Sequence, residues 1–262
     1  MRTKFTKQLA VLGGLVALVA SASSVQAAGG GANAAWQREA GNEIANLPSL
    51  QRGARNFMAY CSACHSLRYV RYSRVADDLK ISPELRDQYL VKPGAKFTDY
   101  ILSSMPEKDA AEWFGKAPPD LSLTARSRSP DWIYNFLTTF YADPASRQTG
   151  VNNLQLPGTA MPHVLSGLQG VQAAVWKNVE HKGADGKTEI THEFEKFEPG
   201  VAGSLTPQQY DDFVRDTVNF LQYVSDPSQV QRQSMGIWVV LFLLMFTGIA
   251  YMLKKEYWKD VR

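Results

Sequence analysis

Taken as a pattern of apolar and polar positions, the chain shows two helical faces, one alternating stretch and one unbroken apolar run. Leu50, Ala54, Phe57, Met58 and Cys61 fall at i, i+4, i+7, i+8 and i+11, the spacing of one helix face. Pro48, just ahead, suits a first turn, where its missing N–H is no loss. A second face is marked by Tyr210, Phe213, Val214, Thr217, Leu221 and Val224. Its start is Thr206-Pro207-Gln208-Gln209, with Thr206 as cap, Pro207 in the first turn and Gln209 completing a capping box. Asp226-Pro227 ends it. Between the two, residues 175–182 and 187–197 flank Gly183-Ala184-Asp185-Gly186 and predict a β-hairpin, with Ile190, His192 and Phe194 alternating against Glu189, Thr191, Glu193 and Glu195. Residues 236–253 carry no charge and are long enough to cross roughly 30 Å of hydrocarbon.

A core helix of a soluble protein is rarely apolar on every face and then halted by a basic cluster, here Lys254, Lys255, Lys259 and Arg262. The N-terminus carries a second targeting signal. Arg2, Lys4 and Lys7 precede an apolar stretch at 9–20, and Val25-Gln26-Ala27 supplies the small residues of a cleavage site. That stretch is too short to span a bilayer. Both ends agree on one topology: an exported domain, a membrane helix and a short cytoplasmic tail, since basic residues stay inside. The 262 residues, 45% hydrophobic and 20% charged, suit one globular domain. The formal charge of +3 belongs to the termini. Without the three basic residues of the signal and the four basic and two acidic residues after Leu253, 21 basic and 23 acidic residues remain. An exported domain with no cationic excess offers nucleic acid no electrostatic footing.

The chain has two cysteines, three positions apart, in Cys61-Ser62-Ala63-Cys64-His65. A structural zinc site needs four ligands and a second cysteine pair; a thioredoxin-like dithiol does not need the histidine. Two thiols at this spacing can add across the vinyl groups of a haem, leaving the next imidazole beneath the iron. For the opposite axial position, Met105 (in Ser104-Met105-Pro106), Met161 (in Ala160-Met161-Pro162) and His163 all stand as candidates. The Pro- and Gly-rich setting of Met161 favours an aimed side chain, but spacing alone does not choose.

These residues together resemble the cytochrome c1 family, the haem subunit of ubiquinol:cytochrome c reductase. Leu50-Gln51-Arg52-Gly53, Cys61 to Ser66, Tyr69 and Tyr72 resemble its attachment region; Pro118-Pro119-Asp120-Leu121-Ser122 with Arg126 and Arg128 its second motif; Thr159-Ala160-Met161-Pro162 its third. The resemblance implies a mainly α, cytochrome c-like haem domain with a small β-hairpin insertion and one C-terminal transmembrane helix. It implies one haem c on Cys61 and Cys64, His65 and Met161 as axial ligands, Met105 in packing, Pro119 accepting the His65 N–H, and Arg128 meeting a propionate. It also implies that the first and last helices of the haem domain pack together. The divisions it suggests are a cleaved signal peptide (1–27), a periplasmic haem domain (28–233), a transmembrane helix (234–253) and a cytoplasmic tail (254–262) at a bacterial inner membrane. The implied partners are cytochrome b, the Rieske iron–sulfur protein, a soluble cytochrome c and membrane lipid, in a dimeric complex that passes single electrons and does no bond chemistry on this chain. Other readings are a five-coordinate haem sensor and an anchored carrier feeding a terminal oxidase. The family is variable after Met161, and the segment 171–200 is not matched to it residue by residue; its acidic residues (Glu180, Asp185, Glu189, Glu193, Glu195, Glu198) fit either a solvated face or a landing place for a basic cytochrome.

Overall fold

The computed structural model describes residues 36–146, 149–182 and 188–260. The expected signal peptide at 1–27, the expected Gly183–Gly186 turn and the last two residues of the tail lie outside the described residues. In chain order the elements are α1 (Leu47–Tyr60), β1 (Leu67–Arg71), α2 (Tyr72–Asp78), a turn at Pro83–Leu85 running into a π-helical turn at Arg86–Leu90, β2 (Tyr100–Ile101), α3 (Glu107–Phe114), α4 (Thr124–Arg128), α5 (Pro130–Thr138), β3 (Phe140–Ala142), β4 (Val151–Asn153), α6 (Ser166–Gln169), β5 (Gly170–Lys182), β6 (Thr188–Ala202), α7 (Pro207–Ser225) and α8 (Gln229–Tyr257). The strands pair only as three antiparallel ribbons, β1–β2, β3–β4 and β5–β6, among the described residues.

The frame of the fold ahead of α8 is the pair α1 and α7. Asn46 caps α1 by accepting the Ser49 N–H, and Pro48 lies in its first turn. The Thr206–Gln209 capping box opens α7, and Asp226 closes it. The helices touch most closely at Gly53, where a Cβ would lie 2.0 Å from the Asp216 carbonyl oxygen. Around that contact Phe57 meets Phe220 at 5.9 Å between ring centroids, and the buried Asn56 amide donates to Thr217 Oγ1 at 3.2 Å. Arg52 pairs with Asp216 at 2.6 Å. Its half-exposed guanidinium limits that pair to about 0–1 kcal/mol. The apolar face supplies the larger share, with Leu50, Ala54, Phe57, Val214, Val218 and Leu221 all buried.

The segment before α1 is laced across α5 and α7. The Ala40 N–H donates to Asp131 Oδ1 at 2.7 Å, and Asn135 both accepts from the Arg38 N–H and donates to the Arg38 carbonyl. Arg215 joins Asp211 to the Ala40 carbonyl.

The β5–β6 ribbon is longer than the alternation predicts, reaching back to Gly170 and on to Ala202. Its register shifts twice, first between Gly170 opposite Ala202 and Gln172 opposite Pro199, and again between Val175 opposite Lys196 and Trp176 opposite Phe194, where Glu195 is the additional residue. That shift lets Phe194 and Phe197 meet at 4.7 Å, with Trp176 against Phe194 and Tyr141 of β3 against Trp176. α8 has no buried residue, and its mean hydropathy reaches 2.2. It is long and apolar enough to cross a membrane as a single-pass anchor. Trp238, Tyr251 and Trp258 stand near its ends, with Lys254 and Lys255 in its last turn.

Candidate haem site

α1 delivers the cysteines. Cys61 is its C-terminal cap, donating its N–H to the Phe57 carbonyl, and the chain continues in tight turns with Cys64 N–H and His65 N–H both on the Cys61 carbonyl. Ser62 is buried beneath this turn, its hydroxyl donating to the Met58 carbonyl at 2.8 Å. Cys61 and Cys64 are free, partly buried thiols. Burial, with the neighbouring Cys64, pushes the Cys61 thiol up to about 12.

His65 is oriented from behind. Its Nδ1 lies 2.7 Å from the Pro119 carbonyl oxygen. A carbonyl can only accept, so Nδ1 carries the proton and Nε2 keeps its lone pair. Burial lowers the His65 pKa against the opposing pull of that hydrogen bond and of Asp120, which keeps the imidazole neutral. A neutral imidazole with Nδ1 engaged and Nε2 free, beside two thiols spaced for vinyl groups, has the donor set that a covalently attached haem requires.

The Pro119 carbonyl is held by Asp120 and its neighbours. Asp120 Oδ2 accepts the Arg68 N–H at 2.8 Å and Oδ1 the Ser122 N–H at 2.9 Å. The Leu121 N–H donates to the Ser66 carbonyl, and the Tyr69 N–H to Ser122 Oγ. The segment after His65 is thereby zipped to the segment that supports its ring. The sequence reading gave Asp120 and Ser122 no role. An Asp two residues ahead of a Ser in a proline-led loop is the mark of an Asx turn, and that signal was present.

Met161 sits in a loop nailed down by two asparagines. Buried Asn153 donates to the Phe136 carbonyl at 2.7 Å and accepts the N–H groups of Gln155 and Leu156, while Asn152 accepts that of Gly158. Gly158 has φ +71°, a conformation open to glycine at little cost. Thr159, also buried, accepts the Met161 N–H at 3.3 Å, and the Met161 side chain packs against the core. His163 is stacked flat on Phe140 at 4.8 Å and 4°, its pKa pushed down to about 4 by burial. Met105 is half-buried, with its N–H on the Ala63 carbonyl between the two cysteines. Arg128 is exposed at the end of α4, its guanidinium over the Trp132 ring at 5.1 Å.

Comparison with known proteins adds to this geometry. A sequence model described as the cytochrome C1 family matches residues 36–174 and 203–261. The unmatched interval, 175–202, lies within the β5–β6 ribbon. Cytochrome c1 of Allochromatium vinosum is 44% identical over 244 residues, covering 93% of this chain and 96% of that protein. The ammonia monooxygenase gamma subunit of Nitrosomonas europaea is 40% identical over 224 residues, 83% of this chain and 85% of that protein. Cytochrome b/c1 of Bradyrhizobium diazoefficiens is 28% identical over 256 residues, 81% of this chain and 33% of that longer protein. With two thiols and an oriented imidazole at the end of α1, and a match of this extent on both sides of the hairpin, the chain belongs to the cytochrome C1 family and carries covalent haem c on Cys61 and Cys64.

Proposed function

We propose that this chain is the membrane-anchored electron carrier of a ubiquinol:cytochrome c reductase, taking single electrons from a Rieske iron–sulfur protein and passing them to a soluble cytochrome c. The observation that carries the reading is the 2.7 Å contact of His65 Nδ1 with the Pro119 carbonyl, which leaves Nε2 free beside the cysteines. Bound haem supplies a one-electron ferrous/ferric couple. His65 Nε2 and Met161 would hold the haem iron in this reading, and the thioether would take the position that a ligand sensor leaves open. The carbonyl of Pro119 raises the basicity of the imidazole, and the Asn152–Asn153 loop holds Met161 in place. Arg128, already stacked on Trp132, is free to turn a planar fork toward a propionate.

The division into a haem domain at 28–233, a membrane helix at 234–253 and a cytoplasmic tail at 254–262 belongs to the same proposal, with the haem domain in the periplasm. Cytochrome b is the membrane partner, in keeping with the fused cytochrome b/c1 of Bradyrhizobium diazoefficiens. The complex is dimeric. The Nitrosomonas relative bears another name, but both its identity and its coverage are below those of the Allochromatium cytochrome c1, and the family match agrees with the latter.

The test is in two steps. Acid-acetone extraction of the denatured polypeptide should leave a red chromophore on it, and loss of that colour would refute the haem assignment. Gentle detergent extraction should then bring down a b-type cytochrome and an iron–sulfur protein with the chain. Isolation alone, or with oxidase subunits, would refute the reductase assignment.

A further inference from the structure

One lysine is hydrogen-bonded directly to the backbone of the cysteine turn. Lys92 Nζ donates to the Ser62 carbonyl at 2.6 Å and to the Leu102 carbonyl at 2.6 Å. Ser62 lies between the two cysteines, and Leu102 leads into Ser103 and Ser104, whose N–H groups bind Ser66 Oγ and the Ala63 carbonyl. The ammonium is partly buried, and no carboxylate among the described residues forms an ion pair with it. It stands at the wall of a cavity of about 490 Å³ that also contains Arg71 and Asp99. Arg71 is turned onto the Thr98 carbonyl and the Tyr100 ring, and Asp99 accepts the Lys96 N–H. Arg71 is itself a cation, and Asp99 forms no ion pair with Lys92.

We infer that Lys92 is an electrostatic positioning residue, whose uncompensated ammonium on the Cys61–His65 turn raises the reduction potential of the haem attached there. A fixed positive charge in a partly buried setting opposes any added positive charge nearby, and the oxidised state carries one more than the reduced. The two 2.6 Å contacts are charge-assisted hydrogen bonds, which hold the ammonium fixed against the turn. The inference rests on haem attachment at Cys61 and Cys64.

The experiment is potentiometric titration of the haem in the complex purified with its full-length chain, comparing wild type with Lys92→Gln and Lys92→Arg. Lys92→Gln should lower the midpoint, moving the oxidised-to-reduced ratio at fixed potential by about threefold to tenfold, where tenfold is ~59 mV for one electron. Lys92→Arg should restore it. Retained covalent colour and unchanged visible bands show that attachment and axial ligands are intact. Absence of colour in the wild type would sink the attachment itself; colour with an unshifted midpoint in Lys92→Gln overturns only the role of Lys92. Should Lys92→Gln fail to mature, Ser104→Asp, at an exposed position on the same cavity wall, decides the matter. A lowered midpoint there supports electrical coupling of this wall to the haem, and an unchanged one overturns the inference.

Discussion

His65 and Met161 carry different kinds of constraint. The imidazole is fixed by one hydrogen bond to a backbone carbonyl, so no single side-chain deletion frees it directly; what can be removed is the support of that carbonyl. Asp120→Ala leaves the N–H groups of Arg68 and Ser122 without their acceptor. We expect a loss of about 1–3 kcal/mol, measured as a lower melting midpoint of the haem-loaded protein. An unchanged melting curve would mean that the Pro119 loop is held elsewhere. Met161→Leu keeps the volume but removes the thioether. The reduced variant should bind carbon monoxide while wild type does not, and its potential should fall. Identical carbon monoxide spectra would return Met105 and His163 to consideration.

Helix pairing is decided at one glycine. Gly53 allows α1 and α7 to approach until a side chain on one would strike the backbone of the other. Gly53→Ala places its methyl against the Asp216 carbonyl and the Phe220 Cβ, contacts that no rotamer relieves. A destabilisation of at least about 2 kcal/mol is expected, near the upper part of the overpacking range. Thermal melting followed in the far ultraviolet checks it, and a melting point within a degree of wild type would show that the helices can slide apart freely. Of the elements themselves, α1 and α7 were legible in the sequence because each repeats one apolar spacing over several turns and opens on its own cap, and α8 because its apolar run is unbroken. The short ribbons β1–β2 and β3–β4 were not, since strands of two to five residues hold too few positions for a period to show. The hairpin was found but its arms were drawn short. The shift at Glu195 breaks the alternation there, and the partners of residues 170–174 are set by pairing across the ribbon.

For the molecule as a whole, the haem domain and α8 obey different solvents. Leu241, Phe242, Leu244 and Met245 are each more than half exposed, whereas Phe220 and Leu221 in α7 are buried. The full chain should therefore resist extraction from membranes by alkaline carbonate, while a chain ending at residue 227 should be released in soluble form with its haem colour. Release of the full chain by carbonate would exclude α8 as an anchor. The sequence by itself determined the chemistry that depends on near neighbours: the Cys61–His65 turn, the capping of α7 and the apolar run of α8, each complete within a few residues or turns. It also favoured Met161 from its Pro- and Gly-rich setting, with resemblance choosing it over Met105 and His163, and named Pro119 through resemblance alone. Only the tertiary structure decided what faces what. Asp120 beneath the His65 support, Asn153 under the Met161 loop, Gly53 against Asp216 and Lys92 across the cysteine turn are contacts between segments that chain order keeps apart. No periodicity records them, because their partners are set by the packing of α1 and α7 and of the loops gathered around it.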